Sequence, residues 1–102
     1  MVVNTSRVTV YPEKRAEFLQ TVTQLLEPIK RAKGCLAFRL YVDATDENSS
    51  LLISEWETES DLNRYLHSSD FAILHGAITV LGRGSSELRA VAKGATKTIR
   101  GI

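Results

Sequence analysis

The sequence predicts an α+β fold, in which a four-stranded antiparallel sheet carries its helices on one face. Segments with a hydrophobic period of two alternate with segments of helical period, in the order β-α-β-β-α(α)-β. The chain has 102 residues and is 43% hydrophobic, which suits one globular domain. We expect a single domain over residues 1–102, with its core at about 5–93 and a C-terminal tail over 94–102.

The first strand and the first helix are predicted between Ser6 and Gly34. Ser6 to Tyr11 alternates apolar and polar residues, as a half-buried strand does. Pro12 suits the first position of a helix, where its missing N–H is not needed. One face of this helix is apolar, with Phe18, Val22, Leu25, Leu26 and Ile29. Pro28 should loosen the last turn, and Gly34 should end the helix.

Two further strands follow, joined by a polar loop. Cys35 to Asp43 alternates, and we expect its helix side to carry Leu36, Phe38, Leu40 and Val42. The polar loop spans residues 43–50, and Leu51 to Glu57 forms the third strand. This third strand has apolar residues on both faces, so both faces of the sheet should be covered.

The C-terminal half contains two helical segments and the fourth strand. Thr58 is a plausible N-cap for a short helix that runs through Leu66. The stretch 68–70 restarts a helix, which continues to residue 81 and ends at the glycine-rich stretch 82–86. Residues 87–93 form the fourth strand, and a possible short strand lies near Thr98.

The element order is ferredoxin-like, and in that arrangement the helices leave one face of the sheet uncovered. The residues expected on the open face are Leu51, Ile53, Ala37 and Tyr41, beside an Arg39–Glu55 ion pair. A second copy of the same sheet is the simplest cover for a homo-oligomer. The sequence therefore predicts a homodimer with the form of a dimeric α+β barrel.

Charge and composition argue against several classes of protein. The 13 Lys and Arg against 12 Asp and Glu give a formal net charge of +1, so no nucleic acid or anionic membrane partner is expected. Cys35 is the single cysteine, and with two histidines it forms no convincing metal site. The first residues lack the pattern of a signal peptide, and no apolar run is long enough for a membrane span. We expect a cytoplasmic protein.

Several side chains with chemical potential should meet on the helix side of the sheet. Strand alternation places there Asn4, Ser6, Phe38, Leu52 and Trp56, and the helices above contribute Tyr65, Phe71 and His75. Together they predict a mostly aromatic cavity with a few polar groups, suited to a flat and weakly polar ligand. Each residue also has a plain structural interpretation: Trp56 as a core residue, and His75 as a histidine of a helix face.

Three segments resemble the antibiotic biosynthesis monooxygenase domain family. They are residues 34–41 after the first helix, residues 52–58 with their Glu-Trp pattern, and residues 67–71 at the helix break. The likeness covers about residues 5–93. It implies a dimeric α+β barrel and, in the enzymatic members, an oxygenase that needs no metal, flavin or haem group.

The resemblance matches two kinds of family site in part. In the aromatic-polyketide branch an Asn four residues before the strand Trp works with that Trp; here Trp56 is present and Leu52 holds the Asn position. In the haem-degrading branch a Trp and a His ten residues apart act with an Asn of the first strand. Here Tyr65 and His75 keep that spacing, and the Asn position falls on Ser6, with Asn4 nearby on the same face.

The leading interpretation is a cofactor-independent monooxygenase that oxidises a hydroxylated aromatic or quinol-like molecule with O2. An imidazole with its ordinary pKa of about 6.5 suits the base, so we assign that role to His75. Trp56 and Tyr65 are the candidate hydrogen-bond donors, with Asn4 or Ser6 in support. One alternative is a haem-binding or haem-degrading monooxygenase with His75 as the axial ligand. Another is a non-catalytic dimeric barrel that binds a small molecule, which Leu52 favours.

Overall fold

The structure is a computed structural model that describes residues 1–83, together with the strand segments 87–92 and 95–99. These residues form an α+β fold with an antiparallel sheet and three α-helices. The elements in chain order are β1 (Val2–Thr9), α1 (Arg15–Lys30), β2 (Cys35–Val42), β3 (Ser49–Trp56), α2 (Glu59–Leu66), α3 (Ser69–Leu81), β4 (Glu87–Ala92) and β5 (Ala95–Ile99).

The sheet has the strand order β2-β3-β1-β4-β5, and all neighbours are antiparallel. The first four strands thus have the ferredoxin-like arrangement that the element order predicts. Within the described segments there are five strands rather than four, because β5 pairs with β4 and includes Thr98, where a short strand is predicted. β4 ends at Ala92, and the predicted last residue of that strand, Lys93, lies outside the described residues.

The first strand begins four residues earlier than predicted. β1 starts at Val2 and pairs with β3 along its whole length, with Val2 opposite Trp56. Its inward positions include the polar residues Asn4 and Ser6, which interrupt the apolar alternation on which the prediction depends. β1 ends at Thr9, and Val10 forms only an isolated bridge with Gly82.

The first helix buries the apolar face that the sequence predicts. A 3₁₀ turn over Pro12–Lys14 precedes α1. The buried residues of α1 are Phe18, Val22, Leu25 and Ile29. Pro28 lies inside the helix, which ends at Lys30, before the predicted stop at Gly34. Gly34 instead turns the chain into β2 with a φ of 80°.

Gly34 and Gly76 provide a matched pair of substitutions. A Cβ at Gly34 would overlap the carboxyl group of Asp61, and its positive φ disfavours any side chain. We expect Gly34→Ala to lower the free energy of unfolding by more than about 1 kcal/mol. A Cβ at Gly76, inside α3, meets nothing within 4 Å. Gly76→Ala should raise stability by about 0.5–1 kcal/mol. Urea unfolding of both variants checks this, and a stable Gly34→Ala protein would contradict it.

β2 contains a bulge that reverses the predicted direction of one side chain. The register passes from Cys35 opposite Trp56 to Ala37 opposite Glu55, so Leu36 has no partner of its own. Leu36 is therefore 53% exposed, and the prediction that it faces the helices is wrong. Cys35 packs against the core in its place. Because both residues are apolar, hydrophobic alternation cannot locate the extra residue.

Neither a membrane-spanning helix nor a metal-binding cluster is present in the described part of the chain. None of its helices is both long and apolar enough to cross a membrane. Within the same residues, no group of three or more His, Cys, Asp and Glu side chains is placed to hold a metal ion.

Candidate functional site

The pairing of β1, β3 and β2 brings five of the predicted site residues onto the face of the sheet below the helices. Three sets of directly paired residues lie on this face, each with one residue from β1, β3 and β2 in that order: Val2, Trp56 and Cys35; Asn4, Ser54 and Phe38; and Ser6, Leu52 and Leu40. Phe38, Leu52 and Trp56 are buried, as is the polar Asn4, whereas Ser6 is half-buried. The site residues from the three strands thus form a single patch under the helices.

The helices add a continuous row of rings to this patch. Tyr65 of α2 stacks on Trp56, with ring centroids 4.8 Å apart and an interplanar angle of 24°. The edge-to-face contact between Tyr65 and Phe71 has a centroid distance of 5.2 Å. Phe71 and His75, both on α3, lie 6.1 Å apart at 18°. We call these four residues the aromatic cluster.

Two capping side chains fix the position of the aromatic cluster. Thr58 caps α2 by accepting a hydrogen bond from the N–H of Asp61 at 3.1 Å, which sets the helix that carries Tyr65. Ser68 accepts from the N–H of Phe71 at 3.2 Å, and its own hydroxyl donates to the carbonyl of Tyr65 at 2.6 Å. The break between the two helices thus holds Tyr65 and Phe71 in contact. Both caps lie where the sequence predicts helix starts.

Trp56 is a wall of the site, and its N–H is already engaged. The side chain has no exposed surface, and Nε1 donates to Oγ of Ser54 at 2.9 Å. The indole N–H is therefore already paired within the protein, whereas the sequence predicts it as a candidate donor to a ligand. Ser54 lies two residues before Trp56 on the same face of β3, and this spacing is the only signal in the sequence for the contact.

Tyr65 is held in its protonated form. Its side chain is 4% exposed, and this burial raises its pKa well above the ordinary value for a phenol. The nearby Cys35 and Asp70 raise the pKa further when they are charged. At neutral pH Tyr65 therefore carries a hydroxyl proton that it can donate.

Two polar atoms of the predicted site are buried and have no hydrogen-bond partner. They are Oδ1 of Asn4 and Nε2 of His75, each with less than 1 Å² of accessible surface. Leaving such an atom unpaired costs about 1–3 kcal/mol, so it requires an explanation. Among the described residues one further atom of this kind, Oδ1 of Asn48, lies in the loop between β2 and β3. A ligand that pairs with Asn4 or His75 must first displace a neighbouring group.

A family model described as "Antibiotic biosynthesis monooxygenase" matches residues 1–77. An uncharacterized protein of Synechocystis sp. is 27% identical over 69% of this chain, and the chain spans about half of that protein's length, 48%. A Bacillus subtilis protein named "Putative monooxygenase YcnE" is 25% identical over 70% of this chain and 75% of its own length. A Deinococcus radiodurans crystal structure, described as a "putative antibiotic biosynthesis monooxygenase", has a TM-score of 0.84. It is 18% identical and covers 99% of this chain and 100% of its own, which shows a shared fold.

Proposed function

Since this chain belongs to the antibiotic biosynthesis monooxygenase family, we propose that it oxidises a hydroxylated aromatic or quinol-like molecule with O2. In this proposal the protein needs no prosthetic group, because an electron-rich phenolate supplies the electrons. The pair of buried, unpartnered atoms on Asn4 and His75 carries the proposal. Both belong to residues predicted for the site, and both can pair with the hydroxyl groups of such a substrate.

The proposed reaction begins when Nε2 of His75, which has no hydrogen-bond partner in the structure, accepts a phenolic proton in the tautomer that leaves this nitrogen unprotonated. The resulting anion transfers electrons to O2, and a carbon–oxygen bond forms at a ring carbon to give a peroxide anion, which takes the proton back from His75 and becomes a hydroperoxide. His75 then accepts the remaining proton on that carbon, and the O–O bond breaks. One oxygen atom stays as the quinone carbonyl, and the other leaves as hydroxide, which His75 protonates to water.

The remaining residues bind the substrate and stabilise its charge. The Tyr65 hydroxyl, kept protonated by burial, is the donor for the developing anion. Asn4 is a second polar contact, with Ser6 in support. Phe38, Leu52 and Phe71 form an apolar lining beside Trp56, which keeps water away from the anion. Leu52 takes no part in proton transfer.

Oxygen uptake over a panel of hydroquinones and hydroxyanthrones tests this function. We expect one or more members to be converted to a quinone that carries one added oxygen atom from O2, with one O2 consumed and one water formed per product, in protein treated with a chelator. No uptake with any member, combined with ligand-induced protection against thermal unfolding, would favour a barrel that only binds small molecules.

Haem is the other ligand that an unpartnered histidine nitrogen suggests. A bond from Nε2 of His75 to iron needs a porphyrin-sized space in front of that atom, and the atom has less than 1 Å² of accessible surface. A porphyrin is much larger than the proposed phenolic substrate, so haem would require a larger displacement of the groups that cover this atom, and we do not propose it as the ligand. Titration with haemin should therefore produce no Soret shift that disappears in His75→Ala.

We further propose that two copies pair through the open face of the sheet to form a dimeric α+β barrel. Leu51 and Ile53 alternate with the buried residues of β3 and remain half-buried in one chain. Tyr41 is 49% exposed on the same face. Beside them, a hydrogen bond to Tyr41 and the charge of Glu55 raise the pKa of Arg39. The predicted Arg39–Glu55 ion pair is not formed within one chain, but the apolar side chains on this face suit an interface between two copies.

Ile53→Lys should dissociate the dimer, because a lysine there would place an unpaired charge between two sheets. Ile73→Lys is the matched control, since Ile73 is 54% exposed on the outer side of α3. Analytical ultracentrifugation at micromolar concentration should give twice the chain mass for the native protein and the control. A native species of 11.3 kDa would contradict the proposed dimer.

A further inference from the structure

The proposed site is closed in this structure, and a substrate cannot reach it without a movement of the protein. Trp56, Tyr65 and Phe71 are 0%, 4% and 8% exposed, and Nε2 of His75 has less than 1 Å² of accessible surface. A flat ring held between two stacked rings needs about 7 Å between their planes, twice the usual contact distance of about 3.5 Å. The ring centroids of Trp56 and Tyr65 lie 4.8 Å apart. Part of the cover over the sheet must therefore move before a substrate can bind.

The helix α2 is the cover that can move at the lowest cost in free energy. It has 8 residues, a length of about 12 Å, and its buried apolar side chains are Leu62 and Tyr65. Each of the other two described α-helices, α1 and α3, buries four apolar side chains. An element with few buried apolar contacts opens at a lower free energy than the rest of the fold. Tyr65 lies between Trp56 and Phe71 and contacts both rings, so a movement of α2 would uncover them.

Both ends of α2 provide positions about which the helix can turn. Thr58 precedes the helix with φ −136° and ψ 161°, and Ser68 follows its C-cap with φ −83° and ψ 161°, so both residues are extended. Rotation at these residues leaves the hydrogen bonds within α2 in place, and hinges commonly lie at the ends of elements. The helices lie on the opposite side of the sheet from the proposed dimer interface. A second copy of the chain would therefore leave α2 free to move.

We propose that α2 is the lid of the proposed site, and that it swings outward about Thr58 and Ser68 to admit the substrate. This inference rests on the proposed function, because it concerns access to the same residues. In the open form the ring of Tyr65 leaves Trp56 and Phe71, and a space for the substrate ring forms beside them. When α2 closes over the substrate, water is excluded from the anion and the Tyr65 hydroxyl approaches the substrate.

Trp56 reports this movement directly, because it is the single tryptophan of the chain and its indole N–H gives one NMR signal. Hydrogen exchange of this N–H and of the backbone amides of Tyr65 and Leu66 is measured on the full chain, without substrate, in increasing low concentrations of urea. We expect all three to exchange through one local opening, with protection factors at least about tenfold below that of the Val22 amide in α1. This opening should depend little on urea, because it exposes little surface, whereas exchange of the Val22 amide should follow global unfolding.

Two matched leucine variants test whether α2 is the part that moves. Leu62 of α2 and Leu74 of α3 are both buried, at 5% and 3% exposure. Leu62→Val should lower the protection factor of the Trp56 indole N–H at least about threefold, because it removes packing that only the closed lid makes. Leu74→Val should lower the global free energy of unfolding by a similar amount, and change the protection factor of the indole by less than about twofold.

The proposal is overturned if the α2 amides and the indole N–H exchange with the free energy and the urea dependence of the Val22 amide. It is also overturned if α2 opens locally and the indole N–H does not follow, or if the two leucine variants change its exchange equally. Each of these results leaves the proposed oxidation standing, because oxygen uptake is not part of the measurement. Conversely, an absence of oxygen uptake would not alter the measured motion of α2.

Discussion

His75→Ala is expected to lower the turnover of a confirmed substrate by at least about 10²-fold, the lower end of general-base contributions. The stability of the fold should change little, because Nε2 of His75 has no hydrogen-bond partner to lose. Oxygen uptake gives the turnover, and urea unfolding gives the stability. Tyr65→Phe should cost less, since it removes one donor from the site and leaves the proton acceptor in place.

His67→Ala is the matched control for this prediction, because it removes the other histidine of the chain. His67 is exposed at the end of α2, where its Nδ1 lies 2.8 Å from the carbonyl oxygen of Asn63. The control should keep native turnover. Native turnover in His75→Ala would contradict the catalytic assignment and leave His75 as a structural residue of α3.

Trp56→Ala is expected to lower the free energy of unfolding by about 3–5 kcal/mol. The side chain has no exposed surface, stacks on Tyr65, and gives its N–H to Ser54. Truncation would leave a cavity below α2 and a buried Ser54 hydroxyl without its donor. Urea unfolding followed by circular dichroism measures this, at one protein concentration because dimer stability depends on concentration.

Tyr11→Ala provides the comparison for this second prediction. Tyr11 is also aromatic, but it is 45% exposed before the 3₁₀ turn. Its removal should change stability by no more than about 0.5 kcal/mol. A loss below about 1 kcal/mol in Trp56→Ala would mean that the core closes over the missing ring.

The parts of the fold that were predictable are those in which pattern and chemistry agree. Thr58 and Ser68 are hydroxyl residues that directly precede helical segments. Their side chains accept hydrogen bonds from the backbone N–H groups of Asp61 and Phe71. Strict alternation along β3 correctly separates its buried residues from its half-buried ones. Such features depend on neighbours in the sequence, so local reasoning finds them.

Other features depend on contacts between distant segments. The start of β1 at Val2 depends on its pairing with Trp56. The polar residue Asn4 faces inward, so the alternation of apolar and polar residues does not extend to this part of the strand. The site residues were predicted to meet because strand parity and helix spacing place them on one side. The engagement of the Trp56 N–H by Ser54 was not predictable, because it depends on a side-chain rotamer.

The bulge at Leu36 also bears on how this protein behaves at high concentration. β2 is the outermost strand at its end of the sheet, and its side chains Leu36, Tyr41 and Val42 are 53%, 49% and 44% exposed. A regular apolar edge of this kind would be a template for strands from other molecules, and would promote aggregation. The extra residue breaks the even spacing of backbone N–H and C=O groups near the start of the strand. We therefore expect an incoming strand to pair with only part of this edge, which would limit aggregation at high concentration.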